Sequence, residues 1–202
     1  TETRSPRTVR GVRAIRGAQE ILGMIFCYCA LESTAMLGGS SYMALGKGID
    51  KTTAATWASL FCIGITVGRL ASGFLTMKFD DPTMIRLGQA LVLTGIVSML
   101  LPLPHNIGTI MGLMVIGLGC APIYPCVIHS TPAYFGEDKS QAIVGMQMAC
   151  AYVGSMCMPP VFGLIAQHVS VLWFPLYMLV FLVLMVIMHE SLRKKCAGQT
   201  IG

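Results

Sequence analysis

Six long apolar runs, residues 21–45, 53–77, 84–103, 107–130, 141–166 and 171–188, constrain this chain more than any motif in it. Each is close to the roughly 20 residues a helix needs to cross a hydrocarbon core of about 30 Å. Lipid offers the backbone no hydrogen-bond partner, so a spanning run satisfies its own amides and carbonyls as a helix. The expected fold is therefore all-α. It is a multi-pass membrane protein with a basic tether at 1–16, a body of six transmembrane helices at 17–190 and a tail at 191–202. Only 11% of the residues are charged, against about 25% in soluble domains. The net charge of +5 does not point to nucleic acid, because the basic residues gather at span ends instead of on one face.

Those span ends set an orientation. With both termini cytoplasmic, twelve of the 14 lysines and arginines fall on that side, and only Lys47 and Lys51 lie outside. This asymmetry is what the positive-inside rule expects of a plasma membrane protein or one of another cell membrane. Arg4, Arg7, Arg10, Arg13 and Arg16 recur at a spacing of three. On a helix that spacing drifts by about 60° per step, which reads as a solvated basic tether. The run that follows is longer than the 7–15 residues of a signal h-region and is read as a mature span. A start at Thr1 suggests an upstream segment. Seven of the eight cysteines lie in apolar runs, without CxxC pairs or histidines at zinc spacing, so no metal and no cofactor is expected.

The first run carries one charge, Glu32. A carboxylate at the bilayer centre costs about 2.5–3.5 kcal/mol on insertion scales, so it normally faces a protein interior or a watery cavity. Helical spacing puts Tyr28, Cys29, Ala35, Met36, Gly39 and Tyr42 on its face. Thr66, Gly117–Cys120 and Tyr152–Ser155 lie at similar depth, and Tyr124, His129 and Gln147 nearer the cytoplasm. The candidate substrate- or proton-binding residues are Glu32, Tyr28, Tyr42, Tyr124, Gln147 and Tyr152, and no catalytic residue is assigned. As two triplets, the first and fourth spans are the interrupted ones, by Gly38-Gly39 and by Pro122 and Pro125. Matching interrupted helices in two halves mark a transporter's binding site. The triplets start on opposite sides, which makes an inverted 3+3 repeat the expected arrangement. Gly64/Gly68 and Gly108/Gly112 are GxxxG pairs that favour close helix contacts.

Three stretches carry a resemblance: GITVGRLASGFLTMKFDD (64–81), GLGCAPIYPCVIHSTPAYFG (117–136) and QMACAYVGSMCMPPVFGLI (147–165). With them the chain resembles the C-terminal six-helix half of a major facilitator superfamily transporter. Together with YCALESTAMLGGSSYMA (28–44), the last stretch is most similar to the fucose–proton symporter-like group. The resemblance implies alternating access around a central cavity lined by the first and fourth helices of each half. It implies a small polar solute such as a sugar as cargo; the buried Glu32 suits a proton or sodium as coupling ion, and a facilitator with no coupling ion could use it for hydrogen bonding. The lipid bilayer and a missing N-terminal six-helix half are the implied partners. Gly68, Arg69, Gly73, Lys78, Asp80 and Asp81 take the place of a cytoplasmic gate, although no Arg-x-Gly-Arg-Arg-type end follows Asp81. A non-transporting membrane binding or structural fragment and a dimeric six-span carrier remain alternatives. An intramembrane serine protease built on Ser40 is disfavoured, because His129 and His189 approach the opposite side.

Overall fold

The structure, a computed structural model, describes residues 9–197. Its helices are α1 (Val9–Arg13), α2 (Ala18–Ser41), α3 (Lys51–Leu75), α4 (Asp81–Leu100), α5 (Ile107–Phe135), α6 (Glu137–His168) and α7 (Phe174–Cys196). All but α1 belong to segments long and apolar enough to cross a membrane, and there are six of these. Both ends of the described chain emerge from the same end of the bundle, called here the terminal end. The fold is thus all-α, with six spanning helices preceded by one short helix among the described residues.

Local chemistry sets the boundaries. Asp50 caps α3 by accepting from the amides of Thr52 and Thr53, which satisfies donors that a helix start otherwise leaves open. Pro82 occupies the first turn of α4, where its missing N–H costs nothing. Gly17 turns the chain from α1 into α2 with φ of 88°, a left-handed conformation that glycine adopts without steric cost. The last turn of α2 widens into a π-helix over Tyr42–Gly46.

The two triplets exchange partners. Helix α2 packs on α6 and α7, and α5 packs on α3 and α4. Each triplet's first helix is thus clasped by the second and third of the other, as a 3+3 repeat requires. Glycine makes the α5 contacts close. A Cβ on Gly119 would lie 2.6 Å from the carbonyl oxygen of Gly88, and one on Gly112 would lie 2.6 Å from that of Gly95. Gly64 and Gly117 fit the same way into the α3–α5 contact, against the carbonyls of Met114 and Phe61. Lipid supplies no hydrophobic drive between helices, so such backbone-to-backbone packing carries the association. At the terminal end, three ion pairs join the helices among the described residues. They are Asp81–His129 (α4–α5), Arg86–Glu190 (α4–α7) and Glu20–Lys195 (α2–α7).

The structure departs from the sequence reading in several places. Helix α2 runs unbroken through Gly38-Gly39, and α5 through Pro122, Pro125 and Pro132. Gly38 serves packing, since a Cβ there would meet Phe174 at 3.0 Å and Phe162 at 3.2 Å. Neighbouring helices and local adjustments let membrane helices tolerate proline. The basic tether is not wholly solvated, because Val9–Arg13 forms α1 and Val12 is buried. Arg4 and Arg7, with residues 198–202 of the tail, lie outside the described residues. The sixth span and its tail are continuous as far as Cys196, because Leu192 and Cys196 extend the buried face of α7.

Candidate functional site

Glu32 is the central residue of the 29-residue segment Ala18–Gly46. Its side chain is half-buried, on a helix whose other faces are clasped by α6 and α7. One turn toward the terminal end, Tyr28 is fully buried and its hydroxyl donates to the Cys120 carbonyl of α5 at 3.0 Å. That bond fixes α2 against α5 beside the glycine-packed stretch. One turn along α5, the Tyr124 ring lies 6.0 Å from that of Tyr28. The Tyr124 hydroxyl points to Met148 Sδ of α6 at 3.2 Å. Tyr28, Cys29, Cys120, Tyr124 and Arg69 all lie within electrostatic range of the Glu32 carboxylate. Tyr152 of α6 is close to Tyr124 and is 68% exposed.

From Tyr124 the same wall continues toward the terminal end as an open groove of about 720 Å³. Arg69, Ser72, Gly73 and Thr76 of α3 line one side, and Pro125, Cys126 and His129 of α5 the other. Asp81 closes it, with Oδ2 lying 2.6 Å from His129 Nδ1. On its other side Asp81 borders a second groove of about 490 Å³, together with Asp80, Ser130, Tyr134 and Arg193. At the loop, Asp80 accepts a hydrogen bond from Thr83, which holds its carboxyl below the usual carboxylate range.

The expected site residues separate into two sets. Glu32, Tyr28, Tyr124 and Tyr152 come together, and Arg69, Gly73 and Asp81 share the adjoining groove. Tyr42 does not join them. It lies ten residues from Glu32, about 15 Å along the helix, and the π-turn places its ring in a stack on Phe174 at 5.2 Å. Gln147 is fully buried between α5 and α6, where its Oε1 accepts from Thr131 at 3.1 Å. Gly68 is a packing residue at the α3–α5 contact. Lys78 and Asp80 sit exposed in the loop, outside the main groove. Sequence reasoning missed the Asp81–His129 pair, whose members are 48 residues apart. The available signal was that both stand at the terminal ends of their helices.

What this wall can do is chemical and specific. It offers one carboxylate at mid-depth, the phenol hydroxyls of Tyr124 and Tyr152 as donors or acceptors with apolar ring faces beside them, and a guanidinium one step toward the terminal end. Helices α3 and α6 leave their outward faces uncovered, with Val67, Leu70, Phe74, Tyr152, Val153 and Met156 exposed.

Comparison with known proteins agrees with this architecture. The Major Facilitator Superfamily profile matches residues 21–195. A crystal structure of the major facilitator transporter FucP in its outward conformation superposes with a TM-score of 0.69 at 16% identity, over 90% of this chain and 43% of that one. A POT family transporter crystallised with a thioalcohol-conjugated peptide gives a TM-score of 0.66 at 18% identity, over 94% of this chain and 39% of that one. The chain spans less than half the length of either transporter. No curated protein matches the sequence.

Proposed function

The chain belongs to the Major Facilitator Superfamily, and from that premise we propose that it forms the C-terminal half of a secondary transporter. The transported solute is small and polar, of the sugar class, and moves by alternating access coupled to a proton. Both termini face the cytoplasm. The observation that carries this reading is the position of Glu32. It is the central residue of its span and half-buried, on a wall that also presents Tyr124 and Tyr152. A carboxylate kept at such depth is a functional group by default. A carboxylate that meets water from one side and then the other can take up a proton in one state and release it in the next. The uncovered faces of α3 and α6 support an N-terminal six-helix half as the partner that completes the cavity. The likeness in fold to FucP supports the fucose–proton symporter-like group, and the phenol-rich wall suits a polyhydroxylated solute.

The test uses the complete transporter in proteoliposomes, with an imposed proton gradient and radiolabelled hexoses, fucose among them. Glu32→Gln keeps the shape and hydrogen-bonding capacity but cannot bind and release a proton. It is expected to abolish gradient-driven accumulation, by tenfold or more, while facilitated exchange and expression persist. Wild-type accumulation in that variant would remove Glu32 from the coupling mechanism.

A further inference from the structure

The geometry points to a binding groove for an anionic phospholipid at the terminal end, between α1, α2, α6 and α7, which rests on the proposed cytoplasmic orientation. A groove of about 520 Å³ opens there, with Leu22, Gly23, Phe26, Met146, Cys150 and Met188 as its apolar floor. Val9 and Arg13 of α1 form its rim with Gln19 and Glu20.

Three observations single out one occupant. First, the basic segment is docked. Val12 is 2% exposed, and Gly17 is seated where a Cβ would meet Cys196 and Leu192 at 3.1 Å. Gln19 Nε2 donates to the Arg13 carbonyl at 3.3 Å, holding the end of α1 over the groove. Second, the positive charge at the rim is unspent. Among the described residues, Arg13 of the rim pairs with no carboxylate, nor do Arg10 and Arg16 outside the groove, whereas Glu20 is engaged by Lys195. Third, the groove combines a guanidinium at the rim with a floor that has no charged side chain except Glu20 at its edge. That pairing matches a phosphate headgroup above an acyl chain, and a soluble anion would leave the floor unfilled. Basic clusters next to spans attract anionic lipid of the cytoplasmic leaflet, at about fivefold in affinity per arginine. Here a fixed pocket turns that general attraction into a site.

The experiment is native mass spectrometry of the complete transporter released from nanodiscs of phosphatidylcholine and phosphatidylserine, counting retained lipids of each class. Variants are Arg13→Gln, which is exposed and leaves the packing intact, and Cys150→Phe, which fills the floor; thermal stability of each is measured in parallel. The expected result is a several-fold preference for retained phosphatidylserine, reduced about fivefold by Arg13→Gln and lost in a stably folded Cys150→Phe. Inorganic phosphate added at millimolar concentration should not displace the lipid. Preference unchanged in Arg13→Gln overturns the site. Loss in Arg13→Gln with full retention in Cys150→Phe overturns the groove, leaving only diffuse surface attraction. Displacement by inorganic phosphate also overturns it, by making the ligand a free anion. None of these outcomes depends on which solute is carried, so the failure of either proposal is read independently.

Discussion

Gly68 and Gly73 stand five residues apart in the same stretch of α3, and the structure gives them opposite environments. A Cβ on Gly68 would lie 2.6 Å from the Ala121 Cβ and 2.9 Å from the Leu118 carbonyl oxygen. Ordinary carbon contacts begin near 3.5 Å, so α3 and α5 would have to part by roughly 1 Å. Overpacking of that kind costs about 1–3 kcal/mol. A Cβ on Gly73 meets nothing within 4 Å. Both substitutions gain the same helix propensity, about 0.8–1 kcal/mol for glycine to alanine. The propensity cancels in the comparison. Gly68→Ala should therefore be less stable than Gly73→Ala by about 1–3 kcal/mol. For a unit of this size that is roughly 2–4 °C of melting temperature per kcal/mol. Thermal unfolding of the complete transporter in detergent, followed by size-exclusion fluorescence, measures it. Equal stability of the two variants would refute the claim that α3 and α5 touch through backbone at Gly68. Transport should show the reverse order if Gly73 stays open because another helix slides past it: Gly73→Ala then slows turnover at undiminished stability.

Two further outcomes are expected at the terminal end. The Arg86 guanidinium holds Glu190 through two hydrogen bonds of 3.0 and 2.9 Å, but both side chains are substantially exposed. A double-mutant cycle with Arg86→Gln and Glu190→Gln should give a coupling of only about 0.2–1 kcal/mol, shrinking in high salt. Thr83→Ala removes the donor that holds the Asp80 carboxyl down, so the Asp80 pKa should rise toward its unperturbed value of about 3.9, as followed by carbon NMR of labelled aspartate. A depressed carboxylate stabilises the fold above its unfolded-state pKa and loses that contribution as pH falls through the folded value. Any stability gap between wild type and Thr83→Ala should thus close as pH falls through the folded-state value of Asp80.

The fold was legible because the bilayer leaves so few choices. Six apolar runs of sufficient length fix six helices, and the GxxxG pairs read as close helix contacts do lie at such contacts, although their spacing does not say which helices meet. Glu32 stood out because a charge in the middle of such a run has few structural uses. Finer features depended on partners remote in sequence. Gly38-Gly39 read as a weak point, yet Gly38 is there to admit Phe162 and Phe174. Pro122 and Pro125 read as breaks, although α5 continues as one helix through them. Tyr42 belonged to the face of Glu32 by helical counting, and the π-turn removed it from that face. No count along a single helix reveals Thr131 opposite Gln147, or Asp81 beside His129.

The distribution of burial supports the proposal that Glu32 belongs to one of a pair of surfaces. Helices α4 and α7 show the mixed burial of helices packed on one side and lipid-facing on the other. Helix α6 is nearly bare: only 11% of its apolar window is buried, and α3 reaches just 28%. Lipid tolerates such apolar faces, but it does not explain why Tyr152 stands 68% exposed beside Tyr124, or why Gly73 and Gly145 have no neighbour within 4 Å. Open glycines and a projecting phenol near mid-depth are the features of a surface that another helical body approaches and leaves. In the proposed transporter the Glu32 wall would be one side of a cavity, and the groove of Arg69, Asp81 and His129 would be where the opposite side closes over its terminal end.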